Sequence, residues 1–83
     1  MDETSPVTFD AEADALYVRL RDGSSARQAM LDDARIIDYS EDGAVIGVEF
    51  LGASDGVDLD DVPFAPTVAS LIHDSGLPIR VLA

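Results

Sequence analysis

The sequence predicts an α+β fold: an antiparallel β-meander of four to five strands, one C-terminal helix packed on one face, and a possible short terminal strand. Three observations predict it. Apolar and polar residues alternate with period two in short runs, the mark of half-buried strands. Tight-turn signals separate those runs, which favours antiparallel neighbours because parallel pairs need longer crossovers. Near the C-terminal end the apolar period changes to that of a helix.

Taken in order, residues 1–6 read as a frayed polar terminus ending at Pro6. Val7-Thr8-Phe9 is a first strand, and residues 10–14, all acidic or small, are a turn. In the run from Ala15 to Leu20, Leu16, Val18 and Leu20 share one face, with Tyr17, Arg19 and Arg21 on the other. Asp22-Gly23 is a hairpin signal, since Asp-Gly accepts the positive φ of tight turns. Ala26 to Leu31 and Arg35 to Tyr39 are a third and fourth strand, and Glu41-Asp42-Gly43 is a second hairpin signal. In the fifth, Ala44 to Leu51, Ile46, Val48 and Phe50 share a face, which leaves Val45 and Leu51 opposite with Tyr17. Gly47 marks a bulge or a close approach. Gly52 to Asp61 reads as a polar connection.

The helix is expected over Phe64 to Ser75, with Phe64, Val68, Leu71 and Ile72 on one stripe. Pro63 or Pro66 suits its first turn, Asp60 and Asp61 suit the positive end of its dipole, and Gly76 followed by Pro78 ends it. Ile79 and Val81 alternate around Arg80 as a short last strand. The whole chain, residues 1–83, is then one domain.

Composition narrows the function classes. The net charge is −12, there is no Lys, and 13 of the 17 acids are Asp. Such a field repels nucleic-acid backbones and anionic lipid and suits solubility or a basic protein partner. An Asp-heavy, Lys-free surface fits two readings equally, adaptation to high salt and a genome-wide codon bias. There is no Cys, so disulfides and thiolate metal sites are excluded. No apolar run approaches the ~18 residues of a membrane span, and the acidic start lacks a signal peptide's basic region; a cytoplasmic location is expected.

Two blocks resemble domain-of-unknown-function family 2283, a family of small prokaryotic proteins. The first is Phe9-Asp10-Ala11-Glu12-Ala13-Asp14-Ala15-Leu16-Tyr17-Val18-Arg19-Leu20. The second comprises Leu31-Asp32-Asp33, Ile37-Asp38-Tyr39, the run from Glu41 to Leu51, and Ala53-Ser54. Gln28 stands where the family pattern has Thr. The resemblance implies the meander-plus-helix fold and no established activity. Members found beside small toxin-like proteins imply a role as a protein partner.

Motifs that carry chemistry have plainer readings. Gly52-Ala53-Ser54-Asp55-Gly56 fits G-x-S-x-G, and acids and His73 follow in hydrolase order. A nucleophile elbow must open directly into a helix, however, and an acidic stretch ending at Pro63 follows instead, so a loop is the better reading. His73 belongs on the exposed side of the helix near its C-terminus. Asp55, Asp58, Asp60 and Asp61 lack the calcium-loop spacing and its closing Glu, and read as a solvated loop. Asp10, Glu12 and Asp14 read as turn formers rather than acid–base groups.

No catalytic residue, metal site or cofactor is therefore expected. Tyr17, Arg19 and Arg21 are the candidate interface, because Tyr and Arg anchor protein contacts; a wet face whose arginines pair with nearby Asp is the competing reading. A domain this small without disulfide or metal needs another staple, and a homodimer or larger closed oligomer supplies one. The expected function is a non-enzymatic homo-oligomeric module that binds a protein, antitoxin-like and with a basic partner. The alternative is an enzyme or small-ligand binder whose site forms between subunits.

Overall fold

The structure is a computed structural model and describes residues 6–82, so most of the expected frayed terminus lies outside the described residues. Five antiparallel strands form the main sheet: β1 (Val7–Asp10), β2 (Ala15–Arg19), β3 (Arg27–Asp32), β4 (Arg35–Tyr39) and β5 (Val45–Leu51). Two-residue strands β6 (Val57–Asp58) and β7 (Val81–Leu82) flank helix α1 (Ala65–Ser75) and pair in parallel. The expected fold class is the observed one.

The strand order in the sheet is β1-β2-β5-β4-β3. Strands β3, β4 and β5 form a continuous meander, but β5 inserts beside β2, pairing Leu16 with Phe50 and Val18 with Val48. Asp22-Gly23 is therefore a bend between non-neighbouring strands and not a hairpin turn. Residues 21–26 carry no apolar pattern that would hold β3 against β2, whereas the apolar stripes of β2 and β5 match in register.

One face of the sheet holds the core. Leu16, Val18, Val48, Phe50 and Ile37 pack with Val68 and Ile72 of α1. Complete burial of side chains this size contributes roughly 1.5–3 kcal/mol each. Three more core residues come from the segment expected to be a polar connection, Ala53, Val57 and Leu59, and Val62 just after it is buried too. The alternation Val57-Asp58-Leu59 is the strand signal there, masked by the surrounding Asp and Gly. Helix and connection together roof the inner face.

At the helix start Phe64 departs from the expected stripe. It is the N-cap residue, with φ 58°, and is 62 % exposed. Val68 and Ile72 alone are fully buried, Leu71 only half, and the first turn contains no acid. Pro66 lies in that turn, and Gly76 ends the helix at φ 76° with its N–H on the His73 carbonyl. The terminal strand is Val81–Leu82, where the alternation suggested Ile79 to Val81.

Strand β5 is bulged. Tyr39 pairs with Val45 while Asp38 pairs with Gly47, so Ile46 is the extra residue. Its carbonyl accepts the N–H groups of Leu20 (2.6 Å) and Arg21 (3.1 Å). The extra residue turns Val45 to the core side, against its expected place on the outer face.

Candidate interaction surface on the open sheet face

The opposite face of the sheet is uncovered. Across it, in register, run Thr8, Tyr17, Glu49, Ile36 and Met30, and beside that row run Arg19, Gly47, Asp38 and Gln28. Thr8, Arg19, Gln28, Met30 and Leu51 are exposed, and Tyr17, Ile36 and Glu49 are half-buried.

Asp38 is the polar centre of this face and the one charged side chain buried among the described residues, at 8 % exposure. Tyr17 donates its hydroxyl to Asp38 Oδ2 at 3.0 Å, and Gln28 donates Nε2–H to Oδ1 at 2.7 Å. The contact spans an intervening strand because Gly47 lies between: a Cβ there would stand 2.7 Å from the Val18 carbonyl oxygen and closer still to the Tyr17 hydroxyl. Burial, then the hydrogen bond to Asp38, push the Tyr17 phenol up from 10.0 to about 12. It remains protonated near neutral pH and serves as a brace, not as a base or nucleophile.

The sequence-predicted site residues separate. Tyr17 and Arg19 adjoin, with the Arg19 guanidinium 5.8 Å from the Tyr17 ring centroid. Arg21 lies beyond the strand end, lining a hollow with Asp22, Ser24, Glu41 and Asp42. Among the described residues, only Arg35 makes ion pairs within 4 Å, with Asp32 (2.7 Å) and Asp58 (4.0 Å). Neither Arg19 nor Arg21 has an acid of the described residues within 4 Å, while the Ser40 hydroxyl first, and the charge of Arg21 as a lesser cause, hold the Asp42 carboxyl below its usual range. Sequence reasoning missed Asp38, Gln28 and Gly47; their signal was an Asp within the apolar run Ile36-Ile37-Asp38-Tyr39 and a Gly inside a strand.

The tempting serine is a clasp. Ser54 donates its N–H to Asp14 Oδ1 (2.9 Å) and its hydroxyl to Asp14 Oδ2 (2.7 Å), while Ala53 N–H meets the Asp14 carbonyl at 3.1 Å. Asp14 takes φ 54°, a conformation its short polar side chain tolerates. Residues 53–55 form one 3₁₀ turn between Gly52 and Gly56, not the mouth of a helix. The Asp58 carboxylate accepts the Asp60 N–H at 2.9 Å, and Asp10 Oδ1 accepts the N–H of Glu12 at 3.0 Å, both turn geometries. His73 is exposed in the last turn of α1.

The Asp14–Ser54 clasp ties the last residue of a recognisable unit to its first turn. A family model described as Protein of unknown function (DUF2283) matches residues 7–54, more than half of the chain. The chain belongs to this family. The matched segment comprises the five-stranded sheet, its open face and the clasp; β6, α1 and β7 lie beyond it. No curated protein and no solved structure matches the chain. No helix of the described residues is long and apolar enough to cross a membrane.

Proposed function

We propose that this chain is a non-enzymatic, homo-oligomeric protein-binding module, antitoxin-like in its role, whose open sheet face takes a basic protein partner. The observation that carries this reading is the uncovered face itself, with Arg19 stacked on a rigidly held Tyr17 and no acid of the described residues within ion-pair distance. An exposed guanidinium that pairs with no acid of the described residues is available to a partner. Tyr and Arg are also the residues most often found at the energetic centre of interfaces.

Charge placement supports a basic partner. Most acids sit in turns at the strand ends, including Asp10, Glu12 and Asp14 at one turn and Glu41 and Asp42 at another. They surround a face that carries Thr8, Tyr17, Ile36, Gln28 and Met30, with the half-buried Glu49 and the buried Asp38 among them. Apolar and aromatic centre with charged rim is the anatomy of protein interfaces, and an acidic rim speeds encounter with a cationic surface.

Affinity purification from native extract at native salt tests the reading when run with two baits. The wild-type chain should retain a small basic protein. An Arg19→Ala/Leu51→Lys chain, altered only at exposed positions, should fold equally well and lose it. Equal retention by both baits would place the contact elsewhere and defeat the proposal.

A further inference from the structure

The five-stranded sheet has two edges, and they differ. Strand β1 is four residues long, begins directly after Pro6 and ends at Asp10, features that blunt an edge. Strand β3 is six residues long and, among the described residues, pairs only with β4. Every β3 residue except Leu31 is exposed, and Met30 is 65 % exposed, the most of any large apolar side chain described. From Gln28 to Leu31 it has neither Pro nor charge to discourage another strand. Its bulge is confined to the far end, between Met30 and Asp32.

Charge separates β3 from the rest of the molecule. The run Ala26-Arg27-Gln28-Ala29-Met30-Leu31 contains no acid and one Arg, in a chain of net charge −12. Two such chains repel almost everywhere else. We propose that the free edge of β3 is the self-association edge, where a second copy of this chain adds antiparallel about a two-fold axis at Ala29. A two-fold axis perpendicular to the sheet keeps each residue on its own face, so Ala29 meets its own copy and Gln28 meets Met30. Arg27 of each chain then falls beside the Leu31–Asp32 bulge of the other, opposite in charge. The two sheets become one of ten strands, and the open faces of both copies lie side by side.

This inference rests on the homo-oligomer reading and deepens it by naming the contact. The test combines light scattering at micromolar chain in molar NaCl with two variants. The wild type should have twice the chain mass, and Met30→Asp, changed at an exposed position, should have the single mass with an unchanged far-ultraviolet spectrum. Ala29→Cys, in a chain with no other Cys, should form an intermolecular disulfide under mild oxidation. Residues facing each other across antiparallel strands lie within the ~4.4–6.8 Å Cα separation that a disulfide spans. Arg19→Cys, on the open face, should not crosslink. A wild-type monomer at all concentrations overturns the edge and the homo-oligomer reading together. A wild-type dimer that survives Met30→Asp, or in which Ala29→Cys fails to crosslink, overturns the edge alone.

Discussion

The hydroxyl of Tyr17 on β2 reaches the carboxylate of Asp38 on β4 at 3.0 Å, although β5 runs between the two strands. Only a residue without a side chain allows that reach, and Gly47 supplies it. The brace fixes Tyr17, and Tyr17 in turn carries the Arg19 guanidinium over its ring, so the geometry of the open face depends on one glycine.

Gly47→Ala should therefore destabilise the fold by about 1–3 kcal/mol, the usual cost of overpacking. Tyr17 could swing away, but the Val18 carbonyl at 2.7 Å from the added methyl belongs to the backbone and has less freedom. Urea denaturation measures the effect; a midpoint equal to wild type would show that the close approach does not constrain the sheet.

Tyr17→Phe removes one of two donors to the buried Asp38 and should cost about 1–3 kcal/mol at neutral pH. It should also change the alkaline limb. The folded-state value of Tyr17, about 12, lies above its ordinary 10.0. Its contribution is complete below pH 10 and is lost as pH rises toward 12. The stability difference between wild type and Tyr17→Phe should shrink across that window, and a difference constant to pH 12 would contradict the assignment.

Two apolar residues at the helix should respond oppositely. Ile72 is 1 % exposed within the core, and Ile72→Ala should lose about 2–5 kcal/mol. Phe64 is 62 % exposed and holds φ 58°, a backbone region costly for a bulky side chain. Phe64→Gly relieves that strain and should leave stability equal or higher. A large loss from Phe64→Gly in thermal melts would mean that its ring packs into the fold.

Salt should stabilise the chain. With −12 net charge and ion pairs confined to Arg35 among the described residues, repulsion dominates its surface electrostatics. Screening shortens from about 10 Å at 0.1 M to about 3 Å at 1 M, so the melting temperature should rise on moving to molar NaCl. A flat or falling trend would remove the high-salt reading.

The sheet and helix were legible because their burial is periodic: Leu16 and Val18, Val48 and Phe50, Val68 and Ile72 all follow their element's period. The strand order was not, because Asp22-Gly23 has turn chemistry whichever strand comes next, and partner choice depends on matching stripes far apart in the chain. Val45 was misplaced because a single bulged residue reverses the alternation before it. The connection from Gly52 to Asp61 hid Ala53, Val57 and Leu59 behind exposed acids, with Val62 buried just beyond it. At the candidate site, Tyr17 and Arg19 could be read from their shared face. Asp38 and Gln28 could not, since their meeting requires β5 to lie between β2 and β4 with Gly47 at the crossing.

Native mass spectrometry of the tagged chain, purified from its own cells at native salt, tests the central claim most directly. A self-associating module that binds a basic protein predicts a particle containing at least two copies of this chain together with a second, cationic polypeptide. A particle of one chain, or of this chain alone at every concentration and salt, would contradict the account.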